Sequence, residues 1–283
     1  MKSEIILSKV NQKTIETSKS YTGIGLQYGK LRTIKFKPSK EDKGIFFCRT
    51  DLPGNPMIPA SLDYVTTYRR RTKLGINSKA TIEPVEHILA AVIGCGIDNI
   101  IIEVDGPEIP IGDGSALPFI DTLKSCGVKI QKAKKKYIEI NEPISVSPSE
   151  ENHITVFPDT CFKVDYRYNC KGIISHAAMN SLGNFIAGFG AARTFCFEDE
   201  LDKLNEMKLI KGINDENVLV IKDMGLMNKN KELRYENEFA KHKILDVVGD
   251  FALLGYELKG SIFASRSGHR NNYELMKKII ASL

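Results

Sequence analysis

Two nine-residue stretches, EHILAAVIG at 86–94 and KHKILDVVG at 241–249, resemble each other and limit what this chain can fold into. Each sets a histidine seven residues before a glycine, His87 and Gly94 in one and His242 and Gly249 in the other, with apolar residues at helical spacing between them. Recurrence of a helical unit in both halves of a chain points to duplication. The surrounding pattern agrees. In each half, runs of alternating or β-branched residues lead into one helix, then a strand, then a second helix.

In the first half, GIGLQYGK and TIKFKPSKEDKGIFF read as a meander of strands from 13 to 48, EPVEHILAAVIGCG as a helix with Pro84 in its first turn, and NIIIEVDG as a buried strand. EIPIGDGSALPFIDTLKSCG reads as an Asp-Gly turn and a second helix, capped by Ser115 and stopped at Gly127. Asp113, Gly114 and Ser115 also suggest a phosphate loop, but one glycine beside Asp lacks the array of amides a phosphate cradle needs. In the second half, ITVFP and FKVDYRY read as strands, ARTFCFEDELDKLNEM as helix, GSIFAS as strand and NNYELMKKIIASL as the last helix. A polar basic stretch near 127–137 reads as the linker, so the expected fold is α+β in two similar domains, 1–130 and 131–283.

A chain of 283 residues has room for two such domains, each with its own core. The six cysteines form no CxxC pair, which speaks against a zinc knuckle or a disulfide framework and fits a reducing, cytoplasmic setting. A net charge of +5, with no interleaving of basic and aromatic residues, gives no nucleic-acid motif. The densest basic run, QKAKKK at 131–136, is expected to be solvated, leaving at most a peripheral membrane contact. No segment approaches the roughly 18–20 apolar residues of a membrane span.

The chemistry concentrates on few residues. His242 and Asp246 stand four apart, on one face of their helix. Together with His87 they supply the two imidazoles and one carboxylate of a three-ligand metal centre with an open position, while HxxxD serves equally as a polar pair on a solvated face. Glu86, about 100° round the helix from His87, is placed to act as a base. His269, in SRSGHRNN before the last helix, is placed to steady an oxyanion or protonate a leaving amine. His153 and His176 read as surface residues and Cys196 as a buried structural thiol.

VEHILAAVIGCGIDNIIIEVDGPEIPIGDGSALPF, ARTFCF, LRYENEFAKHKILDVVGD and SGH, taken together and in this order, resemble the signature segments of the UDP-3-O-acyl-N-acetylglucosamine deacetylase family. The resemblance implies helices packed between two sheets, with an active site where the domains meet. It implies Zn2+ held by His87, His242 and Asp246, Glu86 as general base, His269 as the charged partner of oxyanion and amine, and Thr194 as a hydrogen-bond donor to the reacting centre. Lys243 falls on the substrate's polar side, and Phe195 begins an insert, to Leu209, that would help form an apolar passage for the acyl chain. The activity so implied is hydrolysis of the N-acetyl amide of UDP-3-O-(3-hydroxyacyl)-N-acetylglucosamine, the committed step of lipid A biosynthesis, by a cytoplasmic monomer.

Two stretches depart from the family pattern: Gln27 and Tyr28 in GLQYG, where a His-Ser/Thr pair is usual, and Lys211, Gly212 and Ile213 where Gly-Gly-Ser is usual. Neither touches the expected ligands, and both bear on substrate affinity. A catalytically idle relative that binds a sugar nucleotide or acyl ligand is the alternative, and Glu86 beside a full ligand set argues against it. A dehydratase on a similar duplicated fold is a third reading, for which five histidines are few.

Overall fold

A computed structural model of the chain describes all residues except 1, 68, 69, 207–209, 224 and 229–231. Among the described residues the α-helices are α1 (Glu86–Gly94), α2 (Leu117–Ser125), α3 (Phe185–Gly188), α4 (Glu198–Glu206), α5 (Glu238–Phe251) and α6 (His269–Ile280). A five-stranded sheet runs in the order Lys19–Ile24, Leu31–Pro38, Ile100–Val104, Ile45–Arg49, Met57–Pro59. A seven-stranded sheet is centred on Glu257–Ser265, which pairs in parallel with Val128–Ile140 and Phe162–Cys170 and antiparallel with His153–Pro158.

The two sheets repeat one device. In the first, Ile45–Arg49 and Ile100–Val104 are parallel neighbours whose crossover contains α1; in the second, Phe162–Cys170 and Glu257–Ser265 are parallel neighbours whose crossover contains α5. A parallel pair needs such a crossover, and a helix supplies its length while covering the sheet. Each crossover is followed by another helix, α2 or α6, so the expected order of strands, helix, strand and helix is present in both halves.

The helices pack between the sheets, with α1 against α5 at the centre. From Glu86 to Val92 every residue of α1 is buried, as an element enclosed on all sides must be. Ile88, Leu89 and Val92 join one apolar cluster that runs from Phe36 and Phe47 of the first sheet to Val164, Tyr166 and Ile262 of the second. At the crossing, a Cβ built on Gly249 of α5 would collide with the carbonyl oxygen of Glu86, so only glycine lets the two helices approach this closely.

Three sequence expectations change. The basic stretch read as a linker lies in the strand Val128–Ile140, whose partner is Ser3–Ile15 at the start of the chain, so the first strand belongs to the second sheet. Lysines 132, 134 and 136 are exposed at alternate positions, as the solvated face of a strand presents them. Pro84 stands before α1 rather than in its first turn. In ARTFCFEDELDKLNEM, Phe195–Phe197 is a strand parallel to Leu219–Ile221, and helix begins only at Glu198, where three acidic residues meet its positive end. Residues 207–209 of the expected insert lie outside the described residues.

We expect Gly249→Ala to lower stability by about 1–3 kcal/mol, the usual cost of overpacking a filled core. Gly188→Ala, where nothing stands within 4 Å of an added Cβ, should stay within about 0.5 kcal/mol. Urea unfolding of both variants checks the contrast.

Candidate metal centre and catalytic cleft

The crossing of α1 and α5 decides which side chains meet. Glu86 and His87 occupy the first turn of α1, and His242 and Asp246 lie one above the other on α5. His242 Nε2 stands 3.4 Å from Asp246 Oδ1, and His87 Nε2 stands 3.9 Å from the same oxygen. All three residues are buried, and their ligand atoms lie within 4.8 Å of one another, the one such group among the described residues. Ligand atoms around a tetrahedral zinc are spaced roughly 3.3–3.6 Å apart, which the His242–Asp246 pair meets and the His87–Asp246 pair exceeds by a few tenths of an ångström.

The hydrogen bonds argue the same way. His242 Nδ1–H donates to the Ala192 carbonyl at 3.0 Å, which leaves Nε2 as a lone pair pointing at a carboxylate oxygen. Burial drives the pKa of His242 down to about 3 and that of His87 down to about 4, so both rings are neutral. Burial alone would raise the Asp246 carboxyl, but Lys243 and the neighbouring imidazoles outweigh it and hold the group below the ordinary carboxylate range. Asp246 Oδ2 accepts from Lys243 Nζ at 2.8 Å, while buried Oδ1 has no hydrogen-bond partner. Acceptors facing an orphaned anionic oxygen are the donor set of a divalent cation, and the residues fit a zinc ion.

Beside this cluster lies a second pair. Burial, abetted by Asp250 and Asp246, pushes the Glu86 carboxyl up to about 7, although His269 pulls the other way. His269 Nε2 approaches Glu86 Oε1 to 3.9 Å. Burial opposes charge on His269, yet Asp250, at 2.8 Å from Nδ1, carries its pKa up to about 10. Asp250 in turn accepts from Thr72 Oγ1 at 2.7 Å and Asn272 Nδ2 at 2.8 Å. An imidazolium is therefore fixed with its free N–H toward the glutamate.

Sequence reasoning missed Asp250, Thr72 and Asn272. Asp250 had a signal, since it continues the His242, Asp246 spacing by another turn of α5; Thr72 and Asn272 had none, because only the fold brings them near.

The remaining expected residues line one cavity of about 880 Å³ together with these groups. Thr194 is held by its N–H to the Gly114 carbonyl at 2.8 Å, so the Asp-Gly turn buttresses the site rather than holding phosphate. The N-cap of α2 is Ala116 rather than the expected Ser115, which stands one residue earlier and accepts from the Leu117 N–H through its Oγ. Phe195 packs edge-on to the His242 ring at 5.9 Å and lies under Lys243 Nζ at 5.4 Å. His176 is exposed and pairs with Asp165, and His153 lies in a strand away from the cavity. Cys196 is half-buried on the lining, and burial pushes its thiol up to about 11, which makes it a poor nucleophile.

Fold and cleft together define a candidate metallohydrolase. The family model for UDP-3-O-acyl N-acetylglycosamine deacetylase (LpxC) matches residues 12–281, and the chain belongs to that family. It is 36% identical to the UDP-3-O-acyl-N-acetylglucosamine deacetylase of Citrifermentans bemidjiense, over 95% of this chain and 88% of that one. It is 38% identical to the protein of the same name from Anaeromyxobacter dehalogenans, over 96% and 88%, and 37% identical to that from Hahella chejuensis, over 96% and 91%.

We expect Asp250→Asn to lower the pKa of His269 by at least one unit, since it removes the anion that favours the charged ring. A proton NMR titration of the metal-free protein reads this directly; an unmoved titration would refute the assignment of Asp250 as the cause.

Proposed function

We propose that this protein hydrolyses the N-acetyl amide of UDP-3-O-(3-hydroxyacyl)-N-acetylglucosamine, releasing acetate, as a zinc-dependent deacetylase of lipid A biosynthesis in the cytoplasm. The observation that carries the reading is the orphaned Asp246 Oδ1 facing His242 and His87, with a buried glutamate and a charged histidine beside it. Family membership and the names of the relatives support the substrate. Among the described residues, no helix is long and apolar enough to cross a membrane.

In this reading residues 1–130 bring Glu86 and His87, and residues 131–283 bring Thr194, His242, Asp246 and His269. His87, His242 and Asp246 hold zinc, which when bound supplies a Lewis acid for the amide carbonyl and acidifies water. Glu86, with a pKa near neutrality, accepts the proton of the attacking water and is then placed to return it to the departing amine. Attack develops negative charge on the carbonyl oxygen, and the His269 imidazolium and Thr194 hydroxyl are the donors that steady it. Lys243 adds positive charge on the polar side while Phe195 walls off the apolar side and excludes water. The residues of the reaction thus divide between binding the ion, moving one proton and holding one oxyanion.

Acetate release by the purified protein, stripped with a chelator and restored with one equivalent of zinc, tests reaction and metal together. Glu86→Ala should retain zinc in elemental analysis while losing about 10²–10⁴-fold in kcat. His242→Ala should lose the metal itself. Full turnover in Glu86→Ala would overturn the proton-transfer assignment.

A further inference from the structure

Part of the cavity wall is apolar, built by Leu26, Ile111, Ile213 and Val218, and Gln27 belongs to the same lining. Its Nε2 is buried and has no hydrogen-bond partner. A carboxamide N–H left unpaired away from water costs free energy comparable to a lost hydrogen bond, so its place in a ligand cavity calls for an acceptor that arrives with the ligand.

The backbone around Gln27 is fixed from two sides. The N–H groups of Gln27 and Tyr28 donate to the carboxylate of Glu108, itself fully buried. The carbonyls of Leu26 and Gln27 accept from the N–H groups of Gly212 and Lys211 at 2.9 and 3.1 Å. A Cβ on Gly212 would collide with the Gly25 carbonyl, so this contact requires glycine. The two stretches that depart from the family pattern, 25–29 and 211–213, are therefore one structural unit, and it sets Gln27 on the cavity lining.

What reaches this place must be mostly hydrocarbon, to match the wall, and carry a lone oxygen, to match the donor. The nucleotide end of the substrate is the wrong partner for such a wall, and basic residues such as Arg270 offer it a place elsewhere on the lining. The geometry points to Gln27 as a specificity-determining residue whose Nε2–H donates to the 3-hydroxyl of the substrate's acyl chain, an inference that rests on the deacetylase reading above.

The test compares kcat/KM for two substrates of equal chain length, one 3-hydroxyacylated and one acylated without the hydroxyl, in the native protein and in Gln27→Leu and Gln27→Met. Both replacements keep the side chain's approximate size and remove the donor. The native protein should prefer the hydroxylated substrate by about tenfold or more, because the deoxy chain leaves the amide unpaired. In both variants the ratio should fall toward one, with the change carried by KM, as for an interaction made equally in ground and transition states. Equal rates in the native protein, or an undiminished ratio in the variants, would overturn the inference while leaving the deacetylase reading intact. No acetate from either substrate with zinc-loaded native protein would overturn that reading and this inference with it. Because a ratio of two substrates is read on one sample, partial misfolding of a variant does not mimic the result.

Discussion

The contact of Gly249 with the backbone of Glu86 is the constraint on which the rest of the structure depends. It sets the separation of α1 and α5, and Glu86 and the three proposed metal ligands hang from those helices within two turns of the crossing. A methyl group there would act on the His87 to Asp246 spacing directly, because both helices are buried along nearly their whole length in a close-packed interior. Packing in this molecule is thus a determinant of ligand geometry, not only of stability.

Burial at the crossing has an electrostatic counterpart. These groups are largely buried, so each charge must find its counterpart within the protein, and the arrangement alternates in sign: Lys243, Asp246, the proposed cation, Glu86, His269, Asp250. A second buried pair supports it from behind. Arg193 donates to Glu238 through both its backbone N–H and its guanidinium, each at 2.9 Å, and Glu238 also accepts from the Arg234 N–H. The segment Ala192–Thr194 is thereby locked to α5 at the point where Ala192 orients His242 and Thr194 faces the cavity.

Much of this was legible in the sequence, and the reason is periodicity. Helices α2 and α6 bury defined stripes, while α1 and α5 are buried nearly all round but carry apolar residues at helical spacing; His242 and Asp246 stood out because they interrupted that spacing. What was not legible depends on partners distant in sequence. The strand Ser3–Ile15 finds its place only by pairing with Val128–Ile140, whose lysines disguise it as a linker, and Phe195–Phe197 becomes strand only because Leu219–Ile221 lies beside it. Thr72 and Asn272 converge on Asp250 from far apart in the chain, which local pattern cannot reveal.

The matching helices carry a further consequence. His87 and His242 occupy corresponding positions of two corresponding segments and converge on one point, as side chains do around a twofold axis. A group on such an axis would see two equal sides, whereas hydrolysis needs a base on one side and an acid on the other. The two stretches differ in charge at three places: Glu86 corresponds to Lys241, Ile88 to Lys243 and Ala91 to Asp246. Polarity in this cleft is a property of mismatched charges set upon two corresponding helices, so directionality arises from the positions at which one copy carries a charge that the other lacks or reverses.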